Sequence, residues 1–588
     1  MPGFRSEKVV TILLTLAGLA SVLQGQQPRR AAGDTTPSPV FSDVTSEVGI
    51  DFTHYNGMTG KFFLPEIMGS GAALIDFDND GDLDLFLVQG SVIDPNVKPD
   101  KTLFPWPKPE PPRSRLYRND LVIEKDGSRR LRFTDVTDKS RIPAFGYGMG
   151  VAAGDINNDG LTDLYVCNLG SNQMLLNNGD GTFTDVTKKT NTDDPGWSTS
   201  AAFFDYDRDG WLDLFVTNYV QFSVGNNPTC YAKTSARDYC TPRAFHSAPD
   251  RLFHNKGDGT FEDVTVSSGI NKEFGAGLGV VTDDFDRDGW VDIYVANDGE
   301  PNQLWINKKN GTFRNQAWLG GAAVNRDGQA EAGMGVDAGD FDGDNTDDIF
   351  LTHLMEETNT LYLNLGRGLF EDRTIEAGLG RQTRRYTGFG TLWFDYDNDG
   401  WLDLLSANGA VQILEDLVRK RDRYPLGQPN QLFHNTGKGT FTEVSALSGS
   451  VFQLLEVSRG AAFGDIDNDG DTDVVICNNN GPARVLLNRV GNRNHWLGLR
   501  LVGTQGNRDM LGAQVEIVLD KKNTMRRRAR TDGGYLSAHD PRVLVGLGQV
   551  SGAEAVRIHW PSGTTEEWKN PPIEKYIILD EGTSVQKR

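Results

Sequence analysis

Cysteine is scarce in this chain, four residues in 588, and histidine is nearly so, with eight. No Cys and His fall at the spacing of a structural zinc site. The first Cys is Cys167, so no thiol stands near the N-terminus to carry a lipid anchor. A helix that crosses a bilayer needs about 20 apolar residues, and the apolar run at 9–23 is shorter and interrupted by Thr11, Thr15 and Ser21. It follows Arg5 and Lys8 and leads to Gly25 and Gln26, the layout of a secretory signal peptide. Residues 1–26 are therefore expected to be a signal peptide and residues 27–40 a linker, with no membrane span in the mature chain. Positive charge is lacking as well. A net charge of -22 argues against a nucleic-acid partner, because such binding rests on phosphate neutralisation by Lys and Arg. No nucleophile elbow, phosphate loop or dinucleotide fingerprint is present, and long helical periodicities are few.

What is abundant is glycine, 67 residues, and one nine-residue string that recurs seven times. The copies are DFDNDGDLD from Asp76, DINNDGLTD from Asp155, DYDRDGWLD from Asp205, DFDRDGWVD from Asp284, DFDGDNTDD from Asp340, DYDNDGWLD from Asp395 and DIDNDGDTD from Asp465. A run of small and apolar residues precedes each copy and a β-prone run such as LYVCN follows it. A third run such as LFHN comes next, then a GDG-like turn and a fourth run such as TFTDVT. Four short strands joined by tight turns, with side chains alternating at period two, make one propeller blade. The copies lie about 50 to about 79 residues apart, a spread that propeller loops tolerate and stacked solenoid coils do not. The predicted fold is all-β: a seven-bladed propeller over residues 41–489 and a small all-β domain over residues 490–588. The seventh unit lacks its fourth run, whereas FSDVTSEVGI from Phe41 is such a run with no blade before it. Residues 41–45 are therefore expected to close the ring by pairing near residues 484–487.

Crowding carboxylates into nine residues costs repulsion unless a cation binds them. Positions 1, 3, 5 and 9 are the candidate ligands. They are Asp76, Asp78, Asp80 and Asp84 in the first loop and Asp155, Asn157, Asp159 and Asp163 in the second. The third and fourth loops supply Asp205, Asp207, Asp209 and Asp213, then Asp284, Asp286, Asp288 and Asp292. The fifth supplies Asp340, Asp342, Asp344 and Asp348, the sixth Asp395, Asp397, Asp399 and Asp403, and the seventh Asp465, Asp467, Asp469 and Asp473. A carbonyl at position 7 and a sharp bend at the Gly of position 6 complete an all-oxygen set. That set suits Ca2+, which takes six to eight oxygens in a flexible shell, better than Mg2+, which prefers a rigid octahedron with several waters. Up to seven Ca2+, one per blade, are expected, and their ligands account for most of the acidity. Asn157 costs its loop one charge, and Asn345 replaces the Gly of position 6 because Asn tolerates left-handed geometry.

These repeats resemble the FG-GAP or VCBS repeats of integrin α-subunit propellers. The segments NHWLGLRLVGTQGNRDMLGAQVEI, GGYLSAHDPRVLVGLG and VRIHWPSG resemble the ASPIC/UnbV domain, and together the two resemble the cartilage acidic protein family and its bacterial relatives. The resemblance implies calcium binding and a location outside the cytoplasm, and it implies no particular reaction.

If the metal loop joins the first strand to the second, the loops between the second and third strands emerge on the opposite face. Three of these are long, at residues 90–114, 219–250 and 409–430, and that face is the candidate surface for a periplasmic or extracellular protein or glycan. Cys230 and Cys240 sit in one of them and are expected to pair in an oxidising compartment. Cys167 and Cys477 follow apolar runs and are expected to be buried thiols. Gln89, Asn168, Asn218, Asn297, His353, Asn408 and Asn478 stand five residues after each last ligand, where a strand-ending turn accounts for them better than a polar ring does. His254 and His434 occupy matching strand positions, which suggests packing. The basic run KKNTMRRRAR from Lys521 reads as a solvated hairpin. A binding, adhesion or scaffold module accounts for every feature. The alternative is a carbohydrate-active lyase or hydrolase at the channel mouth, drawing on Glu356, Glu357, Arg384, Arg385, Glu415 and Asp416.

Overall fold

The runs flanking each Asp-rich loop are rich in β-branched and aromatic residues, and each forms a strand. In the computed structural model, which describes residues 39–584, GMGVAAG becomes Gly148–Gly154 and DLYVCN becomes Asp163–Asn168, both buried along their whole length. The expected signal peptide, residues 1–26, and the linker up to residue 38 lie outside the described residues. No helix of the described residues is long and apolar enough to cross a membrane.

Seven four-stranded antiparallel sheets follow one another along the chain. The first is Ala72–Ile75, Asp84–Leu87, Arg115–Asn119 and Phe133–Asp135, and the next five repeat that order without crossover. The seventh consists of Ser458–Gly464, Asp473–Asn478 and Arg484–Asn488, completed by Phe41–Asp43 from the start of the described chain. Phe41 pairs with Asn488 and Asp43 with Leu486, and Val44 N–H donates to Val485 O at 3.0 Å, so the ring closes where the repeat pattern placed the seam. The first strands of consecutive sheets pack side by side, and Ala72–Ile75 also packs against Ser458–Gly464. An apolar core fills each gap between neighbours, as with Leu74 and Leu85 against Val475 and Val485 across the seam. The burial of these faces is the main force holding blade to blade.

A second tie recurs at every gap. Each third strand ends in Asn, and its Nδ2 donates both to a carbonyl of its own metal loop and to a carbonyl of the preceding blade's loop. Asn255 reaches Leu212 O at 3.0 Å and Ile156 O at 2.9 Å, and Asn435 reaches Leu402 O and Phe341 O at 3.0 and 2.9 Å. Asn119, Asn177, Asn307, Asn364 and Asn488 do the same. Buried carbonyls left unpaired are costly, so these amides fix the spacing of the loops around the ring.

The C-terminal residues form two sheets around a common core that includes Leu497, Val515, Val545 and Ile558. One sheet is Val543–Gly548, His495–Val502 and Tyr576–Asp580, and the other is Thr524–Arg528, Gln514–Val518, Ala555–His559 and Thr565–Lys569. From this sandwich, residues 531–540 run into the centre of the propeller and touch all seven blades. Ala538 N–H donates to Ala72 O, Val151 N–H to Leu536 O and Leu536 N–H to Ser200 Oγ. Thr282 N–H donates to Asp532 Oδ2, Gly534 exchanges two bonds with Val336, Tyr535 packs edge-on against Phe389 at 4.9 Å, and Asp540 N–H donates to Phe463 O. Tyr535 OH meets Met68 O at 3.0 Å, where the short 3-10 turn Leu64–Ile67 fills the centre from the other side. The centre of the ring is therefore filled by residues 531–540 from one side and by this turn from the other.

Candidate functional site

In every loop the first Asp folds the turn around itself. Its Oδ2 accepts the backbone N–H of position 6, from Gly160 at 2.6 Å to Gly81 at 3.1 Å, and Asn345 donates in the same way at 3.0 Å. Position 6 lies in the left-handed region throughout, Gly81 at φ 93 and Asn345 at φ 68, and so does position 4, as at Asn79 and Gly343. The last Asp is the buried anchor. Asp213 accepts Tyr206 N–H on Oδ2 and Asn255 N–H on Oδ1 at 2.8 Å, an arrangement found in all seven loops. Position 5 turns back on the chain, with Asp209 Oδ1 accepting Trp211 N–H at 2.9 Å.

The donor set leaves valence free for a hard divalent cation. Side-chain oxygens of positions 1, 3 and 9 lie within 4.8 Å of one another in the first, third and fourth loops. Each carboxylate oxygen has two lone pairs, and the backbone bonds use one of them at most positions. Asp76 Oδ1, Asp205 Oδ1, Asp397 Oδ1 and Asp467 Oδ1 are buried with no hydrogen-bond partner at all. Burial holds Asp84 up at about 9, and burial with neighbouring carboxylates holds Asp205 at about 7 and Asp467 at about 7. Crowded, half-bonded carboxylates with raised pKa values need a positive charge to ionise at neutral pH, and the oxygen set fits Ca2+.

The C-terminal sandwich packs on this loop face and leaves loop tips such as Asp80 and Asp209 exposed. Arg500 Nη1 stands 3.6 Å from Asp76 Oδ2, Asp155 N–H donates to Asp509 Oδ2 at 2.7 Å, and Tyr576 OH donates to Asp465 Oδ2 at 2.9 Å. The run from Lys521 is a hairpin, but it is not the solvated one its composition suggested. Only Lys521, Lys522 and Asn523 at its turn are exposed; Arg526 pairs with Asp347 at 3.3 Å, Arg527 donates to Gly400 O and Arg530 pairs with Asp337. The acidic ring, invisible from the hairpin's own sequence, draws these guanidinium groups inward.

The opposite face carries the three long insertions. Cys230 and Cys240 form a disulfide there, while Cys167 and Cys477 are buried free thiols inside blades two and seven. Beside the filled centre a cavity of about 250 Å³ is walled by Leu64, Met68, Tyr239 and Met334, with Asp298, Glu357 and Arg243 at its polar side. Tyr219 OH donates to Asp298 Oδ2 at 2.5 Å, and burial pushes Asp298 up to about 7. Of the residues named for catalysis, only Glu357 lines this cavity. Glu415 and Asp416 are exposed and face Arg419, Arg384 donates to Glu356 O, and Arg385 is exposed. The seven polar residues after the second strands are buried and form no exposed ring; Asn168 bonds Ser171 O and Asn297 bonds Pro301 O in their own turns, whereas Gln89 reaches Thr53 O and His353 Nδ1 meets no hydrogen-bond partner.

Residues 155–216, 244–295, 284–351, 340–406 and 418–507 match the family described as FG-GAP-like repeat, together more than half of the chain. The chain belongs to the FG-GAP-like repeat family. Residues 503–586 match the family described as ASPIC and UnbV. Among curated proteins it is similar to cartilage acidic protein 1 of Xenopus tropicalis, 26% identical over 54% of this chain and 38% of that protein. It is also similar to cartilage acidic protein 1 of Homo sapiens, 32% identical over 28% of this chain and 25% of that protein. The chain thus matches well under half the length of these relatives. Among solved structures a lectin from Burkholderia pseudomallei aligns at a TM-score of 0.40 and 11% identity, over 72% of this chain and 96% of that one.

Two residues of this FG-GAP-like propeller have more than the packing role their strand positions suggested. His254 and His434 do pack edge-on against Tyr206 and Tyr396, but their Nδ1 atoms face the carboxylates of loops three and six. Their shared register with the Asn that bonds the last ligand was the available signal.

Proposed function

We propose that this chain is an exported, calcium-stiffened propeller that binds an extracellular or periplasmic protein or glycan through the face opposite its metal loops. The observation that carries the reading is the asymmetry of the two faces. The metal-loop face is braced by the C-terminal sandwich, whereas the opposite face bears the three insertions, the disulfide and the cavity beside Asp298. Ca2+, held by positions 1, 3, 5 and 9 of the all-oxygen loops, supplies the charge that lets the clustered carboxylates ionise. The chain's residues then do the positioning: last-ligand Asp side chains brace the third strands, and the rigid ring presents its insertions as fixed loops. The domain division at residues 489 and 490 belongs to this reading, as one unit for presentation and one for bracing the metal face. A catalytic reading draws on Asp298, which carries a raised pKa beside Tyr219, and it would place a glycan in the same cavity.

The test is an array of glycans and proteins probed with the full chain, with and without chelator. Arg243→Glu at the cavity should weaken capture by about tenfold or more, and Lys521→Glu on the C-terminal hairpin should leave it unchanged. The reverse pattern rejects the face. Chelation should lower the melting temperature by many degrees, because a ligand bound only by the folded form stabilises by mass action. An unchanged melt removes calcium from the reading.

A further inference from the structure

Loops three and six differ from the other five in donor chemistry. In both, the residue before the terminal Asn of the third strand is His, His254 in Arg251–Asn255 and His434 in Gln431–Asn435. The same position holds Arg118, Leu176, Ile306, Leu363 and Leu487 in the other blades. Position 2 of the loop is Tyr only in these two copies, Tyr206 and Tyr396. Each Tyr ring meets its His ring edge-on at 5.9 Å and 69°, which sets the imidazole's orientation.

That orientation aims Nδ1 at the carboxylates. His254 Nδ1 lies 3.1 Å from Asp213 Oδ1 and 3.5 Å from Asp207 Oδ2. His434 Nδ1 lies 3.3 Å from Asp403 Oδ1 and 3.7 Å from Asp397 Oδ2. Ligand atoms of Asp207, Asp209 and His254 all fall within 4.8 Å of one another, and so do those of Asp397, Asp403 and His434. A second observation points to a cation at the third loop: Asp205 is 5% exposed, and its Oδ1 meets no hydrogen-bond partner. Asp205, Asp207 and Asp213 also converge within 4.8 Å, so the orphaned carboxylate belongs to the cluster His254 faces.

We propose that loops three and six are mixed nitrogen–oxygen centres that select a divalent transition ion of the Mn2+, Co2+ or Zn2+ class over calcium. The inference rests on the metal reading above and divides the seven loops into two kinds. Calcium is bound by oxygen ligands and gains little from an imidazole, whereas imidazole nitrogen is a good donor to first-row transition ions. With its proton on Nε2, a neutral imidazole would present the Nδ1 lone pair to the ion, beside Asp205, Asp207 and Asp213 in loop three and Asp397 and Asp403 in loop six.

Cobalt(II) is the probe, titrated into the calcium-saturated full chain and followed by visible absorption and by bound metal per chain. Two cobalt ions per chain are expected. His254→Leu and His434→Leu should each remove one, and both should retain the fold because Leu stands at this position in three sibling blades. The double variant should retain calcium in equilibrium dialysis. Unchanged cobalt stoichiometry in the double variant overturns the proposal, as does cobalt uptake by no loop or by all seven alike. A lower melting temperature of the metal-free variants with unchanged cobalt binding also overturns it, since the imidazoles then merely bridge carboxylates. If cobalt fills two sites and no loop takes calcium, the calcium reading fails and this inference stands.

Discussion

Asn119 Nδ2 donates to Ile466 O at 2.9 Å, across the seam between the first blade and the last. The same amide donates to Leu83 O at 3.2 Å within its own blade. The bond at the seam is therefore equivalent to the bonds at the six continuous gaps, although the two residues are 347 positions apart in sequence.

Asn119→Ala leaves two buried carbonyls unpaired and should cost about 1 to 3 kcal/mol in denaturant unfolding. Asn119→Asp should cost more, because it sets a buried carboxylate against both carbonyl oxygens. A loss no larger than that of an exposed substitution such as Lys521→Ala would show that the amide ring does not hold the blades in register.

The seam also depends on the pairing of residues 41–43 with the third strand of the seventh sheet. Deleting residues 1–46 removes Phe41 and Val44 from the cores on either side and leaves a bare strand edge, which invites aggregation. Deleting residues 1–36 spares both. The soluble fraction on expression of the two truncations should differ sharply, and equal yields would count against closure by this strand.

Gly71 sits where the central segment crosses the first blade. A Cβ at this position would stand 1.7 Å from Leu536 O, backbone against backbone, so nothing flexible can give way. Gly71→Ala should therefore displace residues 531–540 from the centre and loosen the C-terminal sandwich. Limited proteolysis should cut the variant between the propeller and the sandwich while leaving the wild type intact. A variant as resistant as wild type, with an unchanged melt, contradicts this.

Glu66 is fully buried in the turn that fills the centre from the insertion face, and burial lifts its carboxyl from 4.5 to about 7. Backbone N–H groups of Thr59 and Phe63 donate to it, which offsets part of that rise. Between these pH values the folded state binds the proton that the unfolded state has released, so stability falls as pH rises through the window. The contribution is on the order of 3 kcal/mol across the full window. In calcium buffer the unfolding free energy of wild type should drop from pH 4.5 to pH 7 relative to Glu66→Gln. Parallel profiles would mean that the carboxyl is already ionised in the fold.

Much of the ring could be read locally because each blade is built from contiguous segments. The carboxylate spacing, the bend at position 6 and the missing strand of the seventh unit all lie in sequence order, and so do Cys230 and Cys240, ten residues apart. The roles of His254, His434 and the third-strand Asn residues were harder to read. Their partners belong to loops about 15 to 42 residues away or to the neighbouring blade, and a strand pattern reports which face a side chain takes, not what it meets there.

By itself the sequence determined the seven-fold repeat, the candidate ligands and the closure of the ring, since period-two patterning and loop spacing act within one blade. The tertiary structure alone decided that residues 531–540 fill the centre and that Arg526, Arg527 and Arg530 turn inward instead of toward solvent. The reason is electrostatic and steric. Seven separate loops create one acidic face only after the ring has closed, and only that assembled face, with the small residues lining the centre, can draw in a basic hairpin and the segment that follows it.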